Sequence, residues 1–288
     1  MIEHLVISGG GTLGFIEFGI LYKLYKEGYW DPKDIKSIYG TSCGTIIGTA
    51  LLLDIDINTL YDYVVNRPWE KTLPSSIDSF MDLIRYKGLL NDSVIRCILE
   101  YLFKYKELDT EITLSEFYAF TKRDLYLYTV DAFTLETVEL SHYTHPELPV
   151  LKAIHMSSSV PLCIQPVWYN NTYYIDGGIN LNYPLRPCLD RVKDETTILS
   201  IRTHSCGETA LKTFTQDTSF VDYYAHLFGL MMNRYYSKKP IRIKNEVIIP
   251  YKNTDSSNIE TIYEKSIRDE WIEQGKKYAI LFLQYNNV

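Results

Sequence analysis

Short apolar runs that break at glycine, each followed by apolar positions at helical spacing, organise the first fifty residues. His4 to Ser8 reads as a short buried strand. After a glycine turn, Phe15, Phe18, Leu21, Leu24 and Tyr25 mark an amphipathic helix from about Gly14 to Glu27, with Gly28 as its C-cap. The pattern then repeats. A strand from Ile35 to Tyr39 runs into Gly40-Thr41-Ser42 and a small-residue helix from Gly44 to Leu53. Strand, tight turn and helix, twice in succession, predict an α/β fold with a mostly parallel sheet and helical crossovers.

Residues 58–120 read as mostly helical, including Val94 to Tyr105 and Leu114 to Phe120, with a turn-rich stretch from Arg67 to Ser76. Leu125 to Val130 is a strand, with Thr137 to Leu140 as its pairing partner. A helix from about Leu148 to Ser158 leads to Pro161. Two β-rich triplets, Val167-Trp168-Tyr169 and Thr172-Tyr173-Tyr174, flank Asn170-Asn171, a hairpin signal. Thr197 to Arg202 is a further central strand, Phe220 to Tyr236 a helix, Val247 to Ile249 a strand, and a final helix closes the chain. No repeat, low-complexity tract or long linker divides it, which predicts one domain over 1–288.

Composition narrows the class. Of 288 residues 46% are hydrophobic and 23% charged, enough apolar content for a sizeable core. The net charge of −7 argues against a nucleic-acid partner and against general attraction to anionic membranes. Cys43, Cys97, Cys163, Cys188 and Cys206 are odd in number and lack CxxC spacing, which points to a reducing compartment rather than disulfides or zinc. The first residues lack a signal-peptide pattern, and no apolar run reaches spanning length. The expectation is a cytoplasmic protein, at most peripheral to membranes, needing no cofactor and no metal.

Three glycine-marked segments carry the candidate chemistry. Gly40-Thr41-Ser42-Cys43-Gly44 is Gly-x-Ser-x-Gly at a strand-to-helix junction, a nucleophile elbow with Ser42 at a helix N-terminus. Cys43 is a rival nucleophile on paper, but nothing near it in sequence lowers its pKa. Gly9-Gly10-Gly11-Thr12-Leu13-Gly14 satisfies GxGxxG, the dinucleotide fingerprint. That reading needs an acidic residue at the end of the second strand, where Tyr39-Gly40-Thr41-Ser42 stands instead. The loop fits an oxyanion hole better, with Gly10 and Gly11 as the leading donors. Asp176, released from an apolar strand into Gly177-Gly178, is the best-placed base, and His204 is its rival.

In this order the segments resemble the patatin-like phospholipases, from about Leu5 to Pro187. Lys87-Gly88-Leu89-Leu90, Met156-Ser157-Ser158-Ser159-Val160-Pro161, Gln165-Pro166-Val167 and Asn182-Tyr183-Pro184 extend the match. The resemblance implies a three-layer α/β/α fold and lipid acyl hydrolysis by a Ser42–Asp176 dyad. Gly9, Gly10, Gly11, Thr12 and Gly14 would form the oxyanion loop, and Gly40, Gly44, Gly177 and Gly178 the elbow and base loop. It implies a phospholipid or other acyl-lipid substrate. A catalytically idle lipid-binding protein and a lipid transacylase are the alternatives. Ser8 and Leu13 depart from many relatives, which carry Asp before the glycines and a basic residue before the last one. The chain after about Asp190 is an extension without matching motifs. Within it, the aromatic segment from Phe220 to Tyr236, followed by Arg234, Lys238, Lys239, Arg242 and Lys244, has the composition of an interfacial anchor or of a core helix with a basic end.

Overall fold

The computed structural model describes residues 1–72, 84–205, 223, 241–251 and 263–286. The chain opens with β1 (His4–Ile7), α1 (Gly14–Lys26), β2 (Ser37–Thr41) and α2 (Cys43–Leu52). Next come α3 (Ile57–Asn66), α4 (Trp69–Thr72), β3 (Gly88–Leu90), α5 (Ser93–Tyr105) and α6 (Leu114–Thr121). They are followed by β4 (Asp124–Asp131), β5 (Thr137–Leu140), α7 (Val150–Ser158), β6 (Leu162–Ile164), β7 (Val167–Tyr169) and β8 (Thr172–Asp176). The last elements are α8 (Leu185–Arg191), β9 (Ile198–Ser205), β10 (Glu246–Tyr251) and α9 (Lys265–Tyr285).

The main sheet runs β10-β9-β1-β2-β4-β8-β7, with β5 also paired to β4. From β10 to β4 every pairing is parallel, while β5, β8 and β7 are antiparallel additions. Period-two alternation along the strands feeds two apolar layers. Leu5, Ile7, Ile38, Leu125, Leu127, Leu199 and Ile201 face a large core under most of the helices. Val6, Tyr39, Tyr126 and Tyr128 face the other way, against Leu185 and Cys188 of α8. Helices therefore cover both faces of a mostly parallel sheet, as expected.

Local signals place most boundaries. Gly28 sits just past α1 at φ 71, and the amides of Gly28 and Tyr29 return to the carbonyls of Tyr25 and Leu24, a Schellman closure. Asn170 and Asn171, both at positive φ, form the two-residue turn between β7 and β8. A reciprocal capping box between Thr113 and Glu116 starts α6.

One feature of the fold differs from the sequence expectation. Residues 88–90, within a stretch read as helical, form β3 and pair with β6 in a separate two-stranded sheet. Three-residue strands are too short to show a period. After Asp190 the chain extends the same sheet, with the expected strands forming as β9 beside β1 and β10 beside β9. α9 packs along α1 so closely that a Cβ on Gly19 would stand 2.4 Å from the Ile272 carbonyl oxygen. The aromatic segment from 220 to 236 lies outside the described residues, apart from Tyr223.

Candidate active site

Strand register brings the two leading residues together. Thr41 is paired with Tyr128, and the next residue of β4, Thr129, is paired with Asp176. Ser42, directly after Thr41, therefore emerges at the end of β8, across β4. It is 7% exposed and sits at φ 53, ψ −126, a conformation that costs a non-glycine residue free energy.

Neighbouring groups hold that strained turn in place. The Ser42 amide donates to Ser157 Oγ at 3.1 Å, and the Ser157 hydroxyl donates to the Tyr128 carbonyl at 2.5 Å. Helix α2 begins so tightly against β1 that a Cβ on Gly44 would meet the Ile7 carbonyl oxygen at 2.4 Å. A Cβ on Gly40 would likewise stand 2.9 Å from the backbone of Gly44. The two flanking glycines of the elbow thus serve close backbone approach.

Asp176 ends β8 and is 5% exposed. Its Oδ1 accepts the Gly178 amide at 2.6 Å, and its own amide donates to the Ser159 carbonyl at 2.9 Å. Gly177 lets the chain turn under β4, since a Cβ there would stand 2.1 Å from the Tyr128 carbonyl oxygen. Oδ2 is buried and makes no hydrogen bond of ordinary geometry among the described residues. The Ser42 hydroxyl is nonetheless near enough to favour the ionised carboxylate. Burial is the larger effect and lifts the carboxyl to about 6, against the opposing pull of Ser42 and the Gly178 amide.

The glycine loop lies on the other side of Ser42. A Cβ on Gly9 would come within 3.0 Å of Ser42 Cβ. The Gly9 amide donates to the Asn182 carbonyl at 3.0 Å, and the Gly10 amide to Cys43 Sγ at 3.1 Å. Gly10, one of the two leading donors in the sequence reading, thus directs its N–H at the thiol. Among the described residues the amide of Gly11, at φ 56, meets no acceptor, nor does that of Cys43, the first residue of α2. Thr12 is buried with Oγ1 unpartnered among the described residues, and Gly14 begins α1 in ordinary helical geometry.

The rival residues are placed elsewhere. His204 stands on β9, separated from β2 by β1, and its charged neighbours are Arg202, Arg242 and Glu246. The Cys43 thiol is buried and pushed well above its ordinary range, chiefly by burial and then by Glu17. It is held as a thiol rather than a nucleophilic thiolate.

Glu17 is the residue that the sequence reading missed. It is fully buried on α1, with Oε1 3.0 Å from Ser8 Oγ and Oε2 3.4 Å from Cys43 Sγ. The signal was available, because Glu17 lies four residues before Leu21 and seven before Leu24, inside the apolar stripe.

Fold and site together define an α/β protein in which a strained serine ends a parallel strand beside a buried aspartate. The family model for the patatin-like phospholipases matches residues 5–189, and the chain belongs to that family. It is 28% identical over 279 residues to an uncharacterised protein of Acanthamoeba polyphaga mimivirus, covering 96% of this chain and 92% of that one. It is also 27% identical over 185 residues to a probable lipid hydrolase of Invertebrate iridescent virus 6, covering 64% of this chain and 62% of that one. The crystal structure of VipD from Legionella pneumophila shares the fold with a TM-score of 0.58 at 14% identity, covering 99% of this chain and 67% of that chain.

Proposed function

We propose that the protein hydrolyses carboxylic esters of phospholipids or related acyl lipids, as a phospholipase A-type or lysophospholipase-like enzyme, through Ser42 and Asp176. The observation that carries this reading is the buried Asp176 carboxyl, with the hydroxyl of the strained Ser42 near enough to favour its ionised form. Family membership and the viral lipid-hydrolase relative support the substrate class.

In this mechanism Ser42 Oγ attacks the acyl carbonyl while Asp176 Oδ2 takes its proton. The charge that develops on the carbonyl oxygen is met by the Gly11 amide of the glycine loop and by the Cys43 amide at the N-terminus of α2. Collapse breaks the ester bond, and Asp176 returns the proton to the departing alcohol, a lysolipid when the substrate is a diacyl phospholipid. Water then attacks the acyl-serine, Asp176 accepts its proton, and the fatty acid leaves as Ser42 is restored. A carboxylate lifted to about 6 is a stronger base than an ordinary aspartate and still ionised at neutral pH.

Access to such a substrate requires contact with a lipid surface. Phe133, Leu135 and Trp168 are exposed at 67%, 60% and 52%, and Trp168 stacks edge-on with Tyr173 below Lys87. Aromatic side chains with a nearby cation suit an interfacial position. No described helix is long and apolar enough to cross a membrane.

Product analysis on a mixed phospholipid extract tests the proposal. Wild type should release free fatty acid and lysolipid, and Ser42→Ala should release neither. Acyl transfer to a lipid acceptor without net fatty-acid release would identify a transacylase. Lipid binding without any product would identify the idle fold.

A further inference from the structure

Glu17 has no part in the chemistry just described, yet it touches both segments that build the site. No ion pair to it forms among the described residues, and it is fully buried. Its partners converge on a single peptide unit, the one joining Gly9 to Gly10. On the amide side, Gly10 N–H donates to Cys43 Sγ at 3.1 Å, and that sulfur lies 3.4 Å from Glu17 Oε2. On the carbonyl side, Gly9 O accepts from Thr203 Oγ1 at 2.9 Å and from Asn182 Nδ2 at 2.9 Å. Thr203 is tied back to Ser8 Oγ through its amide at 3.0 Å, and Ser8 Oγ is 3.0 Å from Glu17 Oε1.

We propose that Glu17 is a positioning residue that clamps the Gly9–Gly10 peptide from both sides, through Cys43 to its amide and through Ser8 and Thr203 to its carbonyl, and so sets the glycine loop against Ser42. The inference rests on the hydrolase reading of Ser42 for its kinetic consequence, but the clamp itself does not.

The Ser8 hydroxyl donates to Glu17 Oε1, and Ser8 Oγ accepts from the Thr203 amide. Thr203 Oγ1 donates to the Gly9 carbonyl and accepts from Asn182 Nδ2 at 3.4 Å. Burial favours the neutral carboxyl of Glu17, lifting the group to about 8 against the opposing effects of Ser8 and Cys43. Ionisation adds a negative charge beside Cys43, the residue that follows Ser42 and whose amide faces the developing oxyanion.

The groups facing Glu17 supply no compensating cation. Ser8 faces it from the end of β1 and the Cys43 thiol from α2, and that thiol also senses Asp176. α9 brings Ile272 and Gly275 against α1. On β9, Arg202 flanks Thr203 but its guanidinium pairs with Glu246 at 3.2 Å and lies over the Tyr183 ring, and His204 is exposed beside it.

The test compares wild type, Glu17→Gln and Glu17→Leu in hydrolysis of a soluble short-chain p-nitrophenyl ester from pH 5.5 to 9.5. Hydrogen exchange of the segment containing Gly9 to Gly11 is followed at each pH. Gln keeps a neutral donor and acceptor, whereas Leu removes both. The expected result is a wild-type kcat that falls about tenfold above about pH 8, with Glu17→Gln losing that limb and Glu17→Leu depressed about tenfold at every pH with a smaller change in KM. Loop exchange, compared at each pH, should be faster in folded Glu17→Leu than in wild type and Glu17→Gln. An alkaline limb that persists in Glu17→Gln, or loop exchange equal in all three proteins, overturns the clamp. Should wild type show no Ser42-dependent hydrolysis, the hydrolase reading fails while the exchange comparison still decides the clamp.

Discussion

Asp176 reaches Ser42 across β4. Thr41 is paired with Tyr128 on one side of that strand, and Asp176 with Thr129 on the other. The proposed dyad therefore depends on a parallel and an antiparallel pairing meeting on one strand. Removing either side chain tests it. Ser42→Ala and Asp176→Asn should each lower kcat by at least about a thousandfold, with circular dichroism unchanged. His204→Ala, on the far side of β1, should remain within about twofold of wild type.

The proposed mechanism assigns the acid limb of activity to Asp176. Its carboxyl is lifted to about 6 by burial, and the base must be ionised, so kcat/KM should rise with pH through about 6. The stability consequence has the opposite slope. The folded protein holds this proton more tightly than the unfolded chain does, so stability falls as pH rises from about 4 to about 6, by about 1.4 kcal/mol per unit at most. Asp176→Asn should therefore raise Tm relative to wild type above pH 6 while abolishing activity. An equal Tm at pH 5 and pH 7.5 in both proteins contradicts the burial argument.

Ser157 supports the elbow rather than the chemistry. Replacing it with Ala removes the acceptor for the Ser42 amide and a donor to the Tyr128 carbonyl. The expected cost is about 1–3 kcal/mol in denaturant unfolding, with a fall in kcat because the strained φ of Ser42 loses its restraint.

The glycines of the motifs are not equivalent. Gly44→Ala drives a methyl group into the Ile7 carbonyl and should destabilise by about 3 kcal/mol. Gly14→Ala meets nothing closer than Cys43 Cβ at 3.4 Å and has a helical backbone, so its effect on stability should stay within about 1 kcal/mol. Urea midpoints of the two variants check the contrast.

Much of this site was legible because its local parts are short and chemically distinctive. The elbow at Ser42, the Asp176 loop and the turn at Asn170-Asn171 are written in consecutive residues whose backbone demands are unusual. The contact of the Gly10 amide with Cys43 was not legible, because the two lie 33 positions apart. The same limit hid the role of Ser157, which acts on Ser42 from 115 positions away. Glu17 is a different case. A carboxylate in the apolar stripe of α1 was visible, but its meaning required Ser8, Cys43 and Thr203 to be brought around it by three parallel strands and a helix start.

The most direct test of the Ser42–Asp176 account is labelling of the folded protein by an active-site fluorophosphonate, with the adduct located by peptide mass spectrometry. A single adduct on Ser42, formed rapidly in wild type and in His204→Ala but at least about a hundredfold more slowly in Asp176→Asn, is the predicted result. An unmodified Ser42 in active protein, or undiminished labelling of Ser42 in Asp176→Asn, would contradict it.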